Sequence, residues 1–418
     1  MKLNLLIFPK LNFNQIYFFL FFIISFIRLI IRKWIDDNNK DISQRLFNIY
    51  IYNISDLFCI IPILIDKCFF SKKQKKSITS NTSNHSILLI VRDEQKKRLK
   101  SILFRTFIVA ISDLIAQLPI FIYYVIKGEN ERDIEEYNLS SLLIVRICSL
   151  YLLSLVILKT HFYRHHYFSF VINIICLIFM SLIDIFNIIK TKNKDNKYII
   201  IYVLVKIFST IFCRVEDVYG KKSLMIEFLT PYLILMYKGI YEFFFLIILS
   251  IPLIFIKTKD ATDNYEKSII FTRFDNFIDK IYIIKNISLM ITNFFYNLIM
   301  WIIIDKYSPS HLAMANVFES FGASLYLVIF ERDKTDIWTI YVTFAIYIFL
   351  FFGTFIHNEF IVITVCGLHE NTNLFLAYRA NLDLIQAEYS ISEELSSHEN
   401  VNDNEQNEQI FEMNEDGN

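Results

Sequence analysis

The sequence predicts an all-α, polytopic membrane protein with about ten transmembrane helices, arranged as two inverted repeats of five helices. Of its 418 residues, 55% are hydrophobic and 17% aromatic, and the mean hydropathy is +0.42. Soluble domains are usually about 45–50% apolar. The apolar residues are gathered into runs of about 20, the length that a helix needs to cross a bilayer. The formal net charge is zero, so no overall positive charge attracts nucleic acid. The apolar runs make the lipid bilayer the expected partner.

Ten apolar runs define the predicted spans. They are Phe13–Ile31, Leu46–Ile65, Ser101–Ile126, Leu139–Thr160, Tyr167–Ile189, Tyr198–Val218, Pro231–Ile256, Ile283–Ile304, Pro309–Phe330 and Ile337–Cys366. The first is interpreted as a retained span, because it ends in Arg32-Lys33 without a small-residue cleavage pattern. Two spans open with Thr-Pro or Ser-Pro, a pattern that favours a helix start at the proline. The last run is long, which indicates tilting or a break near Gly353.

Polar segments divide the chain between these runs. The divisions are a cytosolic N-terminus at 1–12, a first five-helix repeat at 13–189 with a polar loop at 66–100, a connector at 190–197, a second five-helix repeat at 198–366 and an acidic tail at 381–418. The tail has no Lys or Arg and is predicted to be disordered. The polar loop carries ten Lys and Arg and is interpreted as cytosolic, like both termini, although the basic connector argues the other way.

An odd number of helices per half makes the second half insert upside down relative to the first. This inverted-repeat architecture is typical of secondary transporters, whose substrate site lies at mid-membrane between the halves. Functional chemistry is therefore expected among polar residues inside the spans, where a central charge costs about 2.5–3.5 kcal/mol and needs a partner or water.

Eleven such residues are candidates for binding a substrate. They are Asp56, Asp113, Gln117, Arg146, Lys206, Lys238, Glu242, Asn293, Asn297, Asn316 and Glu319. Arg28 lies near the end of its predicted span and is interpreted as reaching the interface.

Each candidate also has a structural interpretation. Lys238 and Glu242 are four residues apart and can neutralise each other, and the two asparagines of the eighth span can join helices. Arg146 can pair with Asp56 or Asp113. Lys206 has no partner within one turn of its own helix, so a second hypothesis pairs it with Glu242 across the hairpin in one transport state.

Other site chemistries are less favoured. The six cysteines are scattered and form no CxxC pattern, so neither a disulfide framework nor a metal site is predicted, and no cofactor is expected. The histidines of the turn at His161, His165 and His166 are interpreted as lipid-headgroup contacts. An integral-membrane enzyme would need a polar catalytic cluster at a membrane face, which the sequence does not show, so the chain is not expected to be an enzyme.

Several segments resemble the drug/metabolite transporter superfamily, and most closely its nucleotide-sugar-transporter-like branch, solute carrier family 35. The similar segments are VEDVYGKKSLMIEFLTPYLILMYKGIYEFF at 215–244, NFFYNLIMWIIIDKYSPSHLAMANVFESFGASLYLVIF at 293–330 and KTHFYRHHYFSFVINIICLIFM at 159–180. The chain departs from the family in being poor in glycine, without a GxxxG pair, and in carrying Lys238-Gly239 in the seventh span.

This resemblance implies a transporter that moves a small polar metabolite, such as a nucleotide sugar or a related phosphorylated metabolite, by alternating access. It also implies an endomembrane location, in the Golgi or endoplasmic reticulum rather than the plasma membrane, and is compatible with a homodimer. The candidate charges are nearly balanced, whereas a nucleotide-diphosphate site should carry a cationic surplus, so the substrate stays open. The alternative function is a non-transporting membrane scaffold or receptor, in which all buried charges are mutually paired.

Overall fold

The computed structural model describes residues 6–7, 16–36, 50–64, 85–127, 142–190, 196–255, 257–259, 266–268, 280–330, 337–372, 375–376 and 379–380. The helices are α1 (Ile16–Asp36), α2 (Tyr50–Leu64), α3 (His85–Lys127), α4 (Leu142–Leu153, with a π-helical end at Ser154–Leu158), α5 (Arg164–Lys190), α6 (Asn196–Glu227), α7 (Pro231–Phe255), α8 (Lys280–Lys306), α9 (Pro309–Phe330) and α10 (Ile337–His357). Two antiparallel strand pairs join β1 (Leu6–Ile7) to β4 (Val362–Ile363) and β2 (Lys257–Lys259) to β3 (Glu266–Ser268).

Six of the described helices contain a segment that is long and apolar enough to cross a membrane. These segments are Lys97–Ile120, Arg164–Phe186, Pro231–Pro252, Lys280–Lys306, Pro309–Phe330 and Ile337–His357. Helices α2 and α4 are apolar but shorter, and α1 and α6 carry several charged side chains. The prediction of a helical, membrane-type fold is therefore confirmed, whereas the count of ten spans and the inverted repeat stay predictions.

Contacts between helix termini show that α1 runs antiparallel to α8 and α10, and that α2 runs antiparallel to α7. At one end of the bundle, the ring of Phe18 at the start of α1 packs on Tyr307 and Phe360, which follow α8 and α10. At the other end, Tyr50 at the start of α2 hydrogen-bonds Leu246 and Ser250 near the end of α7. We call these the Tyr307 end and the Tyr50 end. Both β1 and β4 belong to the Tyr307 end, because β4 follows Phe360 directly.

Three helix boundaries differ from those predicted. Helix α3 begins at His85, inside the predicted polar loop, because the Lys, Arg, Gln and Leu residues there are good helix formers that extend an existing helix. Helix α6 continues past the predicted end of its span at Val218 as far as Glu227. Helix α10 is continuous across Gly353 and ends at His357, so the predicted run Ile337–Cys366 breaks four residues after the glycine.

The two predicted proline starts are confirmed, since α7 begins at Pro231 and α9 at Pro309. In each case the carbonyl of the preceding residue, Thr230 or Ser308, accepts the first backbone hydrogen bonds of the helix. A proline at the first position loses no hydrogen bond, because that N–H has no partner within the helix. The predicted acidic tail, most of the connector 190–197 and residues 128–141 lie outside the described residues.

Close helix contacts hold the bundle around the site. Gly220 of α6 lies against the ring of Trp301 on α8, leaving no room for a side chain. Gly353 of α10 lies against Asn173 of α5, and its carbonyl accepts a hydrogen bond of 2.6 Å from Ser169. Glycine therefore makes room here for a side chain of the neighbouring helix, so that the two helices can pack closely.

Candidate functional site

The central feature of the bundle is a buried lysine that contacts carboxylates from four helices. Its Nζ lies 2.8 Å from Glu216 on α6, 2.9 Å from Asp113 on α3, 3.5 Å from Glu242 on α7 and 3.7 Å from Asp56 on α2. The lysine is Lys238 of α7, and its exposed fraction is only 4%. We call this group of five side chains the lysine cage.

Local sequence explains how the cage is assembled. Lys238 lies seven residues after Pro231, or about 10 Å into the helix at 1.5 Å per residue. The next residue is Gly239, where an added side chain would lie 3.1 Å from Asp56. The glycine thus lets α2 approach α7 closely enough for Asp56 to reach the lysine.

A second ion pair lies beside the cage on α6. Arg214 and Asp217 are three residues apart and 2.5 Å apart at their charged atoms, and both are buried. Their carboxylate neighbour Glu216 belongs to the cage. These three residues were not among the predicted candidates, because they lie at the charged end of the predicted span Tyr198–Val218. The signal that could have found them is that Gly220, and no proline, comes between them and Thr230-Pro231, so a longer helix was compatible with the sequence.

A third group joins two arginines to one glutamate. Glu319 of α9 accepts Arg28 of α1 at 3.0 Å and Arg146 of α4 at 3.3 Å, and the Tyr296 hydroxyl of α8 donates to it at 3.2 Å. The guanidinium of Arg28 also lies over the Tyr296 ring, 3.5 Å from its centre. We call Arg28 and Arg146, together with the Glu319 that they share, the arginine pair.

The position of Arg28 corrects its predicted role at the interface. Helix α1 begins at Ile16 and ends at Asp36, three residues later at its start and five later at its end than the predicted span. Arg28 therefore lies well inside the helix, about 18 Å from its start, and points at Glu319 rather than to the membrane surface. Arg146 likewise pairs with Glu319 and not with Asp56 or Asp113.

Two asparagines of α8 connect the lysine cage to the arginine pair. Asn293 accepts a hydrogen bond of 3.2 Å from Arg28 and donates one of 2.7 Å to Ser55 on α2. Asn297, one turn further on, donates to Asp56 at 2.7 Å. The i, i+4 spacing does place them on one face, and they join helices as the structural interpretation predicted.

The remaining candidates lie at the margin of these groups. Gln117 lies on the next turn of α3, four residues after Asp113. Asn316 is buried on α9 but belongs to neither group. Lys206 lies 5.4 Å from the Tyr202 ring, and no described carboxylate lies within 4.0 Å of its amine. The partner of Glu242 is thus Lys238, and the hypothesis of a Lys206–Glu242 pair does not fit this conformation.

The combined groups contain more carboxylates than cations. The carboxylates are Asp56, Asp113, Glu216, Asp217, Glu242 and Glu319, whereas the cations are Arg28, Arg146, Arg214 and Lys238. The carboxylates therefore outnumber the cations by two among these described residues.

Buried charge on this scale distinguishes the chain from a simple helical anchor, because every ion inside a bilayer is costly and marks a pathway or a relay by default. The fold and the site together define a multi-pass helical membrane protein with a charged centre. No protein-family model matches the chain, and no curated protein sequence does either. The likeness to solute carrier family 35 thus rests on the quoted segments alone.

Proposed function

We propose that this protein is a membrane permease that moves a small polar metabolite by alternating access, with ten spans in two inverted five-helix halves. The observation that carries the proposal is the lysine cage. Its carboxylates come from α2 and α3 in the first half and from α6 and α7 in the second half. The ammonium group of Lys238 therefore holds the two halves together. Alternating access requires contacts of this kind, which can break and re-form as the halves rock.

Helix direction supports the same architecture. Helix α1 starts at the Tyr307 end, whereas α6 reaches that end with its C-terminal part, where Lys221 donates to the carbonyl of Asp305 near the end of α8 at 2.8 Å. The first helices of the two halves therefore run in opposite directions, as an inverted repeat requires. The pairing of β1 with β4 brings Leu6–Ile7 next to Val362–Ile363, which supports both termini on one side of the membrane.

The arginine pair supports an anionic group on the substrate. Glu319 is shared by Arg28 and Arg146, so a carboxylate or phosphate could take over one arginine while the other keeps the glutamate. A nucleotide sugar or a related phosphorylated metabolite fits this scheme. The carboxylate surplus of the cage, in turn, supports a proton as the ion that moves with the substrate.

A binding screen followed by transport tests the proposal. Purified full-length protein would be heated with nucleotides, nucleotide sugars, phosphorylated metabolites, sugars and amines, and a ligand at 100 times its Kd should stabilise it by about 2.7 kcal/mol. Compounds that raise the melting temperature would then be loaded into proteoliposomes for counterflow uptake. Arg146→Gln should abolish uptake while the protein still folds, because Glu319 retains Arg28.

Lys206→Met is the matched control, because this lysine also lies in a helix of the bundle but outside both groups. It should transport like the wild type. If no compound shifts the melting temperature and proteoliposomes take up no more than empty vesicles, the scaffold or receptor alternative replaces the permease.

A further inference from the structure

We infer that the Tyr307 end of the bundle contains a transition-metal site, of the kind that binds Zn²⁺, made by His166 of α5, His311 of α9 and His357 of α10. One ring nitrogen from each of these histidines lies within 4.8 Å of the other two. The ring centres of His166 and His357 are 4.6 Å apart, and those of His311 and His357 are 4.8 Å apart. The inference concerns metal binding and does not depend on the proposed transport.

The burial of His165 and His166 corrects their interpretation as lipid-headgroup contacts, whereas His161 is exposed. His165 and His166 were expected in a surface turn, but α5 begins at Arg164, so both lie on its first turn and face the bundle. Their exposed fractions are 2% and 8%, and His357 is fully buried. Three closely spaced imidazoles suit Zn²⁺, Cu²⁺ or Ni²⁺, which prefer nitrogen ligands, rather than Mg²⁺ or Ca²⁺.

A histidine that binds a metal through one ring nitrogen usually makes a hydrogen bond through the other. Two of these histidines already make such a hydrogen bond. His357 Nδ1 is 2.8 Å from the Tyr151 hydroxyl, and His311 Nδ1 is 2.7 Å from the Ser308 hydroxyl. Each hydroxyl can accept the Nδ1 hydrogen, which fixes the ring and leaves Nε2 with its lone pair. The Nε2 atom of His357 is buried and has no hydrogen-bond partner among the described residues. A buried polar atom without a partner is unusual and points to a missing ligand.

Metal binding would require a small rearrangement. Zn–N bonds are about 2.0–2.1 Å, so tetrahedral ligand atoms lie about 3.3 Å apart and the rings must close by up to about 1.5 Å. His166 must also release the Tyr163 backbone N–H, which donates to its Nδ1 at 3.2 Å, in order to bind through Nε2. A cleft lined by His166, His311, Ser308 and Ser310 opens beside the group and provides a route of entry.

The site would join helices from both predicted halves at one end of the bundle. His166 belongs to the first half, and His311 and His357 belong to the second. A bound metal would therefore fix α5, α9 and α10 to one another and stabilise this conformation by an amount that rises with the logarithm of the metal concentration above the Kd.

Full-length protein purified without a polyhistidine tag tests the inference. Zn²⁺ binding would be measured by competition with a chromophoric chelator, and Co²⁺ would report tetrahedral coordination through its visible absorption. We expect one site per chain and a higher melting temperature with Zn²⁺. X-ray absorption at the zinc edge of the wild-type protein should show about three nitrogen ligands at about 2.0 Å, a readout that needs no variant.

Variants then locate the site. His311→Gln should lower Zn²⁺ affinity by more than about 100-fold, and Tyr151→Phe, which keeps the ring at its position, by about 10–100-fold as for other residues that hydrogen-bond a metal ligand. His369→Gln, outside the group, is the matched control and should bind like the wild type. The inference is overturned if the wild type binds no stoichiometric metal, if His311→Gln binds as tightly as the wild type, or if the zinc edge shows no histidine nitrogens.

Discussion

Replacement of Lys238 by methionine is the most informative perturbation of the bundle. Methionine keeps the length and apolar stem of the side chain but removes the one cation that four carboxylates share. A unit charge 4 Å away contributes about 4 kcal/mol at an effective dielectric constant of 20, and desolvation cancels most of it. Stranding the partners of a buried ion typically costs about 3–5 kcal/mol, so Lys238→Met should melt well below the wild type.

The assay is thermal unfolding in detergent, followed by the fluorescence of the chain's three tryptophans. Lys206→Met is the control for the loss of a lysine, since this residue has no described carboxylate partner, and it should leave the melting temperature nearly unchanged. Adding Asp113→Asn to Lys238→Met should recover part of the loss, because residues in one ion-pair group do not act additively.

Acidification provides a second readout of the same variant. Protons bound by the stranded carboxylates replace the missing positive charge, so the deficit of Lys238→Met should shrink as the pH falls. Lys238→Met melting at the wild-type temperature, with no effect of pH on the difference, would refute the view that the lysine holds the carboxylates of the two halves together.

Four further outcomes are expected. Glu319→Gln should lower the melting temperature more than Arg146→Gln, because it leaves both arginines without a counter-charge whereas the latter preserves the Arg28–Glu319 pair. Gly220→Ala should destabilise the protein by about 1–3 kcal/mol, since the added methyl would overlap the Trp301 ring; a normal melting curve would contradict this packing. Tags at the two termini should show the same protease protection in sealed vesicles, and opposite protection would exclude an even number of spans. Deleting residues 381–418 should leave expression and melting unchanged, because this acidic segment cannot bury enough apolar surface to offset its ordering entropy.

Much of the helix layout could be predicted from local sequence. Apolar runs of bilayer length identify membrane helices because unsatisfied backbone groups are excluded from lipid, and the helices that begin at Pro231 and Pro309 begin where the sequence indicates. The shared face of Asn293 and Asn297 follows from their spacing of four residues. Predictions of this kind depend only on neighbours within a few turns of the same helix.

Prediction failed where a charged residue was judged by hydropathy alone. Glu216 and Asp217 were left out of the candidates because charge normally marks the end of a span, and Arg28 was placed at the interface for the same reason. In the structure, each has an oppositely charged partner: Lys238 for Glu216, Arg214 for Asp217 and Glu319 for Arg28. Partners offset the cost of burial, and the partners of Glu216 and Arg28 come from other helices.

The sequence by itself determined that this chain forms apolar helices of membrane length, where two of them begin, and which polar residues require an explanation. Tertiary structure alone decided which of those residues meet. The lysine cage draws on α2, α3, α6 and α7, and the three histidines are brought together from positions 166, 311 and 357. Helical periodicity fixes the face on which a side chain lies, but the neighbour of that face depends on how the helices pack, which is set by contacts between residues far apart in the chain.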